Sequence, residues 1–423
     1  MIVYKFGGAS VKNSDGIRNL SKIVSEANAP ICVVVSAMGK TTNALECVVR
    51  TLFDGKASEA YELLNSTVIV PHLATARQLG LDTQKLENEI DNLKDSFQMV
   101  SHGHGQLYDK VYDCIVSYGE VLSTRIVADY LQLAGNDAHW LDMRKLLRTD
   151  STFREANVVI RDSQKLLLNA IADEPHNIYV LQGFIGANSQ GNPTTLGREG
   201  SDYTAALVGN MTDAESVTIW KDVPGILNAD PRVMKDAVLI PELTYYDAVE
   251  LAYSGAQVIH PKTIRPLENK SIPLYVKPFM EPDAKGSVIA GTKKCRIEVP
   301  VVIRRNNLTL ITIRPLDFAF VMEESLPNIF SVLKQHNLKV SIIQSSAVTI
   351  SIAVDNSSHI EEAIEFLRAS YRVSYNQGLT LLTIRQTNKE IERRLKPETQ
   401  IMIEQRTRNT VKFLYRTLQD TKE

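Results

Sequence analysis

Residues Ile31-Cys-Val-Val-Val35 form an unbroken apolar run, entered through Ala29-Pro30 and left through the polar stretch Ser36-Ala-Met-Gly-Lys-Thr-Thr-Asn43. A strand that is apolar on both faces has to be covered on both faces, and a parallel sheet between two helix layers does that. In such sheets, sites are built from the loops at the carboxyl ends of the strands. Other segments repeat the theme. Ile2, Tyr4 and Phe6 alternate with Val3 and Lys5, run into Gly7-Gly8, and precede a helical spacing of Ile17, Leu20, Ile23 and Val24. Asn177–Gly186 reads as a buried strand ending in glycines, and Ser216–Trp220 as a further strand. Strand–helix alternation predicts an α/β, three-layer domain with a mostly parallel sheet over residues 1–290.

The 423 residues allow two or three domains with full cores. A net charge of −2 with 23% charged residues gives no basic excess for nucleic acid. The four cysteines lie far apart without CxxC spacing, which reads as reduced thiols in a cytoplasmic protein. Met1-Ile-Val-Tyr-Lys-Phe has no basic region followed by an apolar core, so no signal peptide is expected, and no membrane span either. His102-Gly-His104 lacks a third ligand at useful spacing, and no metal site is expected there.

Two stretches suit an anion. Gly7-Gly8 sits between a strand and a helix, a phosphate-cradling arrangement, with Lys5 one residue from the turn. It matches neither GxGxxG nor GxxxxGK[ST]. Taken alone, Lys5 also fits the solvated face of an edge strand. The second stretch is Leu196-Gly-Arg-Glu-Gly-Ser-Asp-Tyr-Thr-Ala205, a Gly-rich turn opening a helix. Arg198 adds a planar fork of donors suited to carboxylate or phosphate. Ser201 and Asp202 are also ordinary helix-start residues, so a plain capped helix explains this stretch equally well.

Taken together, the motifs resemble those of aspartate kinases. The carriers are Leu196–Ala205, Lys5-Phe-Gly-Gly-Ala-Ser10, Val35-Ser-Ala-Met-Gly39, Ser117-Tyr-Gly-Glu120, Trp220-Lys-Asp-Val-Pro-Gly225 and Ala229-Asp-Pro-Arg232. The resemblance covers nearly the whole chain and implies transfer of the γ-phosphoryl of MgATP to the β-carboxylate of L-aspartate. It implies catalytic roles for Lys5, Arg198 and Asp202, and substrate contacts from Thr42, Glu120, Arg198 and Ser201, with Glu120 taking the α-ammonium. On the nucleotide side it implies Lys5, Gly7, Gly8, Ser36, Lys221, Asp222, Leu227, Arg232, Gln257 and Lys262. Three positions depart from the family pattern. Glu199 stands where glycine is common, Lys221 where threonine is usual, and Gln257 where lysine is frequent, with Lys262 the expected substitute cation. No dedicated metal ligands are expected, because Mg²⁺ travels with the phosphates. A glutamate or acetylglutamate kinase of the same fold, or a non-catalytic amino-acid sensor, are the alternative readings. A bifunctional kinase–dehydrogenase is expected to be longer.

After Gly291 the composition changes, with no glycine from Thr292 to Gln377. Leu308-Thr-Leu-Ile-Thr-Ile-Arg314 recurs as Leu379-Thr-Leu-Leu-Thr-Ile-Arg385, each followed by a helical stretch and two strands. This resembles the paired ACT modules of aspartate kinases: a first module over 299–375, and a shortened second over 376–423 that borrows a strand near 299–304. Exposed strand edges in such modules predict a homodimer. The loop Pro315–Ser325, where the family binds an effector, has no glycine and carries two phenylalanines. Ser341 and Ser345-Ser-Ala347 lack carboxylates frequent in the family. Weak or absent feedback by lysine is the expectation.

Overall fold

The structure is a computed structural model that describes residues 1–103, 105, 107–256, 259–291, 297–316, 321 and 325–416. The chain divides into two compact units. The first comprises Met1–Ile226, Leu239–Val249 and Val258–Arg296; the second comprises Leu227–Val238, Glu250–Gln257 and Ile297–Glu423.

The first unit is built on an eight-stranded sheet. Its spatial order is Ala138–Leu141, Ile178–Gln182, Ile31–Val35, Ile2–Phe6, Ser216–Lys221, Leu274–Pro278, Ser287–Ala290 and Glu242–Thr244. The first six strands pair in parallel, and only Ser287–Ala290 runs antiparallel to its neighbour Leu274–Pro278. All five residues of Ile31–Val35 are buried, as are all five of Ile178–Gln182. These two strands are internal in the sheet, so their apolar runs match the cover they receive on both faces. The register Phe6↔Val35, Val35↔Gln182 and Phe6↔Trp220 ends four strands at one level. Gly7, Ser36, Gly183 and Lys221 therefore leave the sheet side by side. A small sheet of Arg148–Thr149, Ile185–Asn188 and Pro193–Thr195 delivers the chain to Leu196. The segment after Thr41 is helical in pieces (Thr41–Phe53, Ala57–Leu64, Val70–Gln78 and Gln84–Ser101), with a π-turn at Asn65–Ile69 and a break at Gly80.

The second unit holds one antiparallel sheet of six strands, ordered Val340–Ser345, Ile350–Asp355, Val301–Pro315, Tyr371–Arg385, Thr410–Arg416 and Ile401–Arg406. The two repeats are not separate bodies. Both central strands are 15 residues long, and each serves both repeats. Val301–Arg305 pairs with Leu381–Arg385, while Ile311–Pro315 pairs with Tyr371–Tyr375. Register shifts between Arg305 and Leu310 mark the junction. The helices Leu326–Gln335 and Ile360–Arg368 cover one face of the first repeat through Ile311, Ile329, Ile352 and Ile364. The other face buries Leu310, Ile342, Leu381 and Ile403 in a second cluster. Ile342 and Ile403 belong to opposite edge strands, and the Gln405 Nε2–H donates to the Ile343 carbonyl at 3.4 Å. The helix-free face is thus closed by the sheet curling on itself.

The composition change after Gly291 predicts a single boundary, whereas the structure gives Leu227–Val238 and Glu250–Gln257 to the second unit. Ala229 and Met234 pack with Val302, Ile384 and Phe413. The Val302 N–H donates to the Asn228 carbonyl at 2.8 Å, and Arg385 pairs with Glu250 at 2.8 Å. These are long-range pairings, which local periodicity does not register. No helix among the described residues is long and apolar enough to cross a membrane.

Candidate active site

Lys5 is the next-to-last residue of the central strand Ile2–Phe6. It is buried, although it carries a charge. Its Nζ lies 2.6 Å from Asp202 Oδ1, and Lys221 Nζ lies 3.7 Å from Asp202 Oδ2. Asp202 sits in the first turn of the helix Gly200–Met211, and Lys221 ends the strand next to Lys5. One buried carboxylate thus holds two ammonium groups at the carboxyl end of the sheet. Burial alone raises the Asp202 pKa, but the charges of Lys5 and then Lys221 outweigh it and leave the carboxyl below its usual range.

The glycines beside Lys5 serve close approach. A Cβ on Gly8 would lie 2.6 Å from the Ala37 carbonyl oxygen and 2.8 Å from that of Gly39. The Gly39 N–H donates to the Gly8 carbonyl at 3.0 Å, which locks this turn to the one after Ile31–Val35. In that second turn Ser36 is fixed by its backbone: its N–H donates to the Phe6 carbonyl at 3.1 Å, and its carbonyl accepts from Ser123 Oγ at 2.9 Å. Thr42 is half-buried in the first turn of Thr41–Phe53.

Glu120 lies in the first turn of Tyr118–Leu133 and is 2% exposed. Its Oε1 accepts from the Ala37 N–H at 3.2 Å. Its Oε2 is buried and receives no hydrogen bond from any described residue. Burial pushes its pKa up to about 8, against the Ala37 hydrogen bond and the charge of Lys5, which pull it down. A buried carboxylate oxygen without a donor is a place for a cation or N–H supplied by a ligand.

Arg198 is exposed and makes no hydrogen bond or ion pair with any described residue, so its five donors are available. Ser201 is buried beside Asp202, and Gly183 makes room for it: a Cβ on Gly183 would fall 2.5 Å from the Ser201 Cβ. Asp222 is exposed just beyond Lys221, and Lys262 is exposed in the first turn of Pro261–Glu268. Leu227 and Arg232 belong to the second unit. There the Arg232 guanidinium is already paired with Asp230, Nε to Oδ1 at 3.0 Å and Nη2 to Oδ2 at 2.6 Å. Gln257 and His104 lie outside the described residues.

The structure adds contacts that the motifs do not specify. Glu199, at the position where glycine is common, has φ 54° and ψ 28°, a left-handed conformation that costs a side-chain-bearing residue roughly 1 kcal/mol. Its carboxylate offsets that by accepting from the His260 N–H at 2.9 Å. His260 in turn caps the helix Pro261–Glu268, its Nδ1 accepting from the Lys262 N–H at 3.2 Å. The departure at Glu199 therefore ties the signature turn to the start of the helix that carries Lys262. Asp113 is buried and accepts from the Thr195 N–H at 2.9 Å, Thr195 Oγ1 at 2.6 Å and the Arg154 N–H at 2.9 Å. It anchors the strand leading into Leu196. Burial raises its pKa to about 6 despite those donors. No spacing rule points to Asp113, because its partners are distant in sequence.

The sequence comparisons agree with this geometry. The model of the amino acid kinase family matches residues 1–278. Lysine-sensitive aspartokinase 3 of Escherichia coli is 31% identical over 400 residues, 91% of this chain and 86% of that protein. The chloroplastic aspartokinase 1 of Arabidopsis thaliana is 31% identical over 84% of this chain and 63% of its own length. Among solved structures, E. coli aspartokinase III in complex with aspartate and ADP superposes with a TM-score of 0.82 at 29% identity, over 98% of this chain and 96% of that one. The same enzyme with lysine and aspartate gives 0.78 at 30% identity. With its lysine–aspartate–lysine row at the ends of a parallel sheet and these relatives along almost its whole length, the chain belongs to the amino acid kinase family and, within it, to the aspartokinases.

Proposed function

We propose that the chain is an aspartate kinase that moves the γ-phosphoryl of MgATP to the β-carboxylate of L-aspartate, yielding 4-phospho-L-aspartate and ADP. The observation that carries this reading is the row Lys5–Asp202–Lys221, whose first two members are buried, together with the buried Glu120 Oε2, which receives no hydrogen bond from any described residue while its carboxyl feels the charge of Lys5. The acceptor carboxylate is already ionised at neutral pH, so a carboxylate oxygen attacks phosphorus without a general base. The bond from the γ-phosphorus to the β–γ bridging oxygen breaks, and ADP leaves. The chemistry needs positioning of two anions and neutralisation of the charge between them.

Lys5 neutralises the transferring phosphoryl, and Asp202 holds Lys5 in place through the ion pair. The backbone of Gly7 and Gly8 and the Ser36 turn receive phosphate oxygens. Lys221, Asp222 and Lys262 serve the nucleotide. Arg198 clamps a substrate carboxylate, Glu120 accepts from the α-ammonium, and Thr42 and Ser201 complete the substrate pocket. Asp202 is engaged by two lysines, so it is not left to bind a cation, and Mg²⁺ arrives as part of the MgATP substrate.

The protein works in the cytoplasm as a homodimer formed through the second unit, whose sheet ends in the edge strands Val340–Ser345 and Ile401–Arg406. Sedimentation of the full chain tests this; a stable monomer at micromolar concentration rejects it. For the activity, a coupled ADP-release assay with aspartate, glutamate and acetylglutamate is decisive. Turnover with aspartate alone is expected. Preference for either of the others overturns the assignment.

A further inference from the structure

At the opposite, amino-terminal end of the same sheet stands a group that the phosphoryl-transfer reading does not use. His139 is the second residue of the strand Ala138–Leu141, and His176 precedes the neighbouring strand Ile178–Gln182. Their rings lie parallel, with centroids 4.8 Å apart and an interplanar angle of 10°. Glu174, just beyond the helix Ile160–Asp173, reaches His139 Nδ1 with its Oε2 at 3.3 Å. One ligand atom from each of His139, Glu174 and His176 falls within 4.8 Å of the others.

We propose that His139, Glu174 and His176 form a surface site for a first-row divalent transition ion such as Zn²⁺. Two imidazoles and one carboxylate are a donor set that suits zinc, copper or nickel and not magnesium or calcium. Tetrahedral zinc with bonds of about 2.0–2.2 Å needs ligand atoms roughly 3.3 Å apart, with water in the fourth position. Binding requires the two half-exposed imidazoles to turn out of their parallel stack so that both nitrogens aim at one ion, with the exposed Glu174 following.

The surroundings are organised for the purpose. His176 Nδ1–H donates to Asp137 Oδ1 at 2.5 Å, which leaves the Nε2 lone pair for the ion; metal-bound histidines are oriented by a carboxylate in this way. Asp137 Oδ2 also accepts from the Asn177 N–H at 2.9 Å. The buried Tyr179 hydroxyl receives the His176 N–H at 2.8 Å and donates towards the carbonyls of Ile171 and Glu174, each at 3.1 Å. The backbone carrying two of the three ligands is therefore fixed from below. A bound ion would fasten the edge strand of the sheet to the segment entering its neighbour, at the end remote from phosphoryl transfer.

Isothermal titration of the untagged, chelator-stripped full chain with Zn²⁺ alone tests the site. Wild type is expected to take up one equivalent per chain that the His139→Ala/His176→Ala double variant does not. Glu174→Gln, a change at an exposed position that leaves the fold intact, should weaken that equivalent at least tenfold. Asp137→Asn, which loosens the carboxylate contacts to His176 Nδ1 and the Asn177 N–H without touching a ligand, should weaken it by about tenfold. Melting temperature should rise with Zn²⁺ in wild type and not in the double variant. Kinase turnover of the double variant in Zn²⁺-free MgATP should equal that of wild type. Equal zinc stoichiometry and affinity in wild type and the double variant, or no uptake by wild type, overturns the proposal.

Discussion

The two units handle charge in opposite ways, although both are organised by sheets. In the first, four neighbouring parallel strands end at one level, where Lys5, Ser36 and Lys221 lie, and the start of the helix Gly200–Met211 brings Asp202 to Lys5 and Lys221 while that of Tyr118–Leu133 brings Glu120 to the Ala37 N–H. Charges are buried there and left to be satisfied by one another or by a ligand. In the second, neighbouring strands run antiparallel, so their loops are shared between the two ends and no single edge gathers chemistry. Both faces of its sheet are apolar, and pairs such as Arg406 with Glu392, Arg394 with Asp236 and Arg305 with Asp355 each keep one side chain more than a third exposed. Parallel topology concentrates function, and antiparallel topology spreads it.

Removing the cation at the centre of the first unit should produce the largest effect. Lys5→Ala is expected to lower kcat by about 10²–10³-fold with a smaller change in the KM for aspartate, since its charge matters most as the phosphoryl group moves. Steady-state kinetics on the purified variant decide this, and a near-normal kcat would remove Lys5 from catalysis. The same variant should stay folded, because Asp202 can take up a proton once its partner is gone.

Next in size are the groups proposed to hold the substrate. Arg198→Lys should raise the KM for aspartate by roughly tenfold, as a point charge cannot replace a planar two-pronged donor. Glu120 makes a pH test possible. Without substrate its pKa is about 8, and an ammonium bound at Oε2 lowers it. Aspartate binding below pH 8 should therefore release a proton, and affinity should climb with pH and level off near 8. Calorimetry in buffers of different ionisation heats measures that proton, and Glu120→Gln should abolish it. The corresponding stability effect has a definite sign. The folded pKa is raised above the ordinary 4.5, so the contribution is fully present below pH 4.5 and is lost as pH rises through 8. Glu120→Gln should flatten that decline in melting temperature.

The second unit should answer differently. Arg305 is hydrogen-bonded to Ser341 Oγ at 2.8 Å and paired with Asp355. Arg305→Ala should cost about 1 kcal/mol of stability and leave kcat unchanged, as measured by thermal melting beside the kinase assay. A large loss of activity would break the contrast between the units. The smallest effect is expected from lysine. The loop Pro315–Ser325 lies mostly outside the described residues, but its lack of glycine and the engagement of Ser341 by Arg305 argue against a built pocket for a free amino acid. Millimolar lysine at subsaturating aspartate should change the rate only slightly; strong inhibition would reverse this view of the second unit.

Much of this was legible in the chain alone. The apolar run Ile31–Val35, the glycine pair after Lys5 and the strand Ser216–Trp220 are local patterns, and each element follows from the side chains within it. Asp202 was legible through the resemblance as a residue expected in the site, but its ion pair with Lys5 is seen only in the structure. What only the tertiary structure decided depends on separation in sequence. The pairing of Lys221 with Asp202, the three hydrogen bonds that Asp113 accepts, the capture of the His260 N–H by Glu199 and the approach of His139 to His176 join segments that sequence spacing does not relate. The same holds for Leu227–Val238, which joins the second unit because Ala229 and Met234 find their apolar neighbours there. Periodicity tells a strand which face to bury. Which distant residue meets that face is set by the register and packing of the whole sheet.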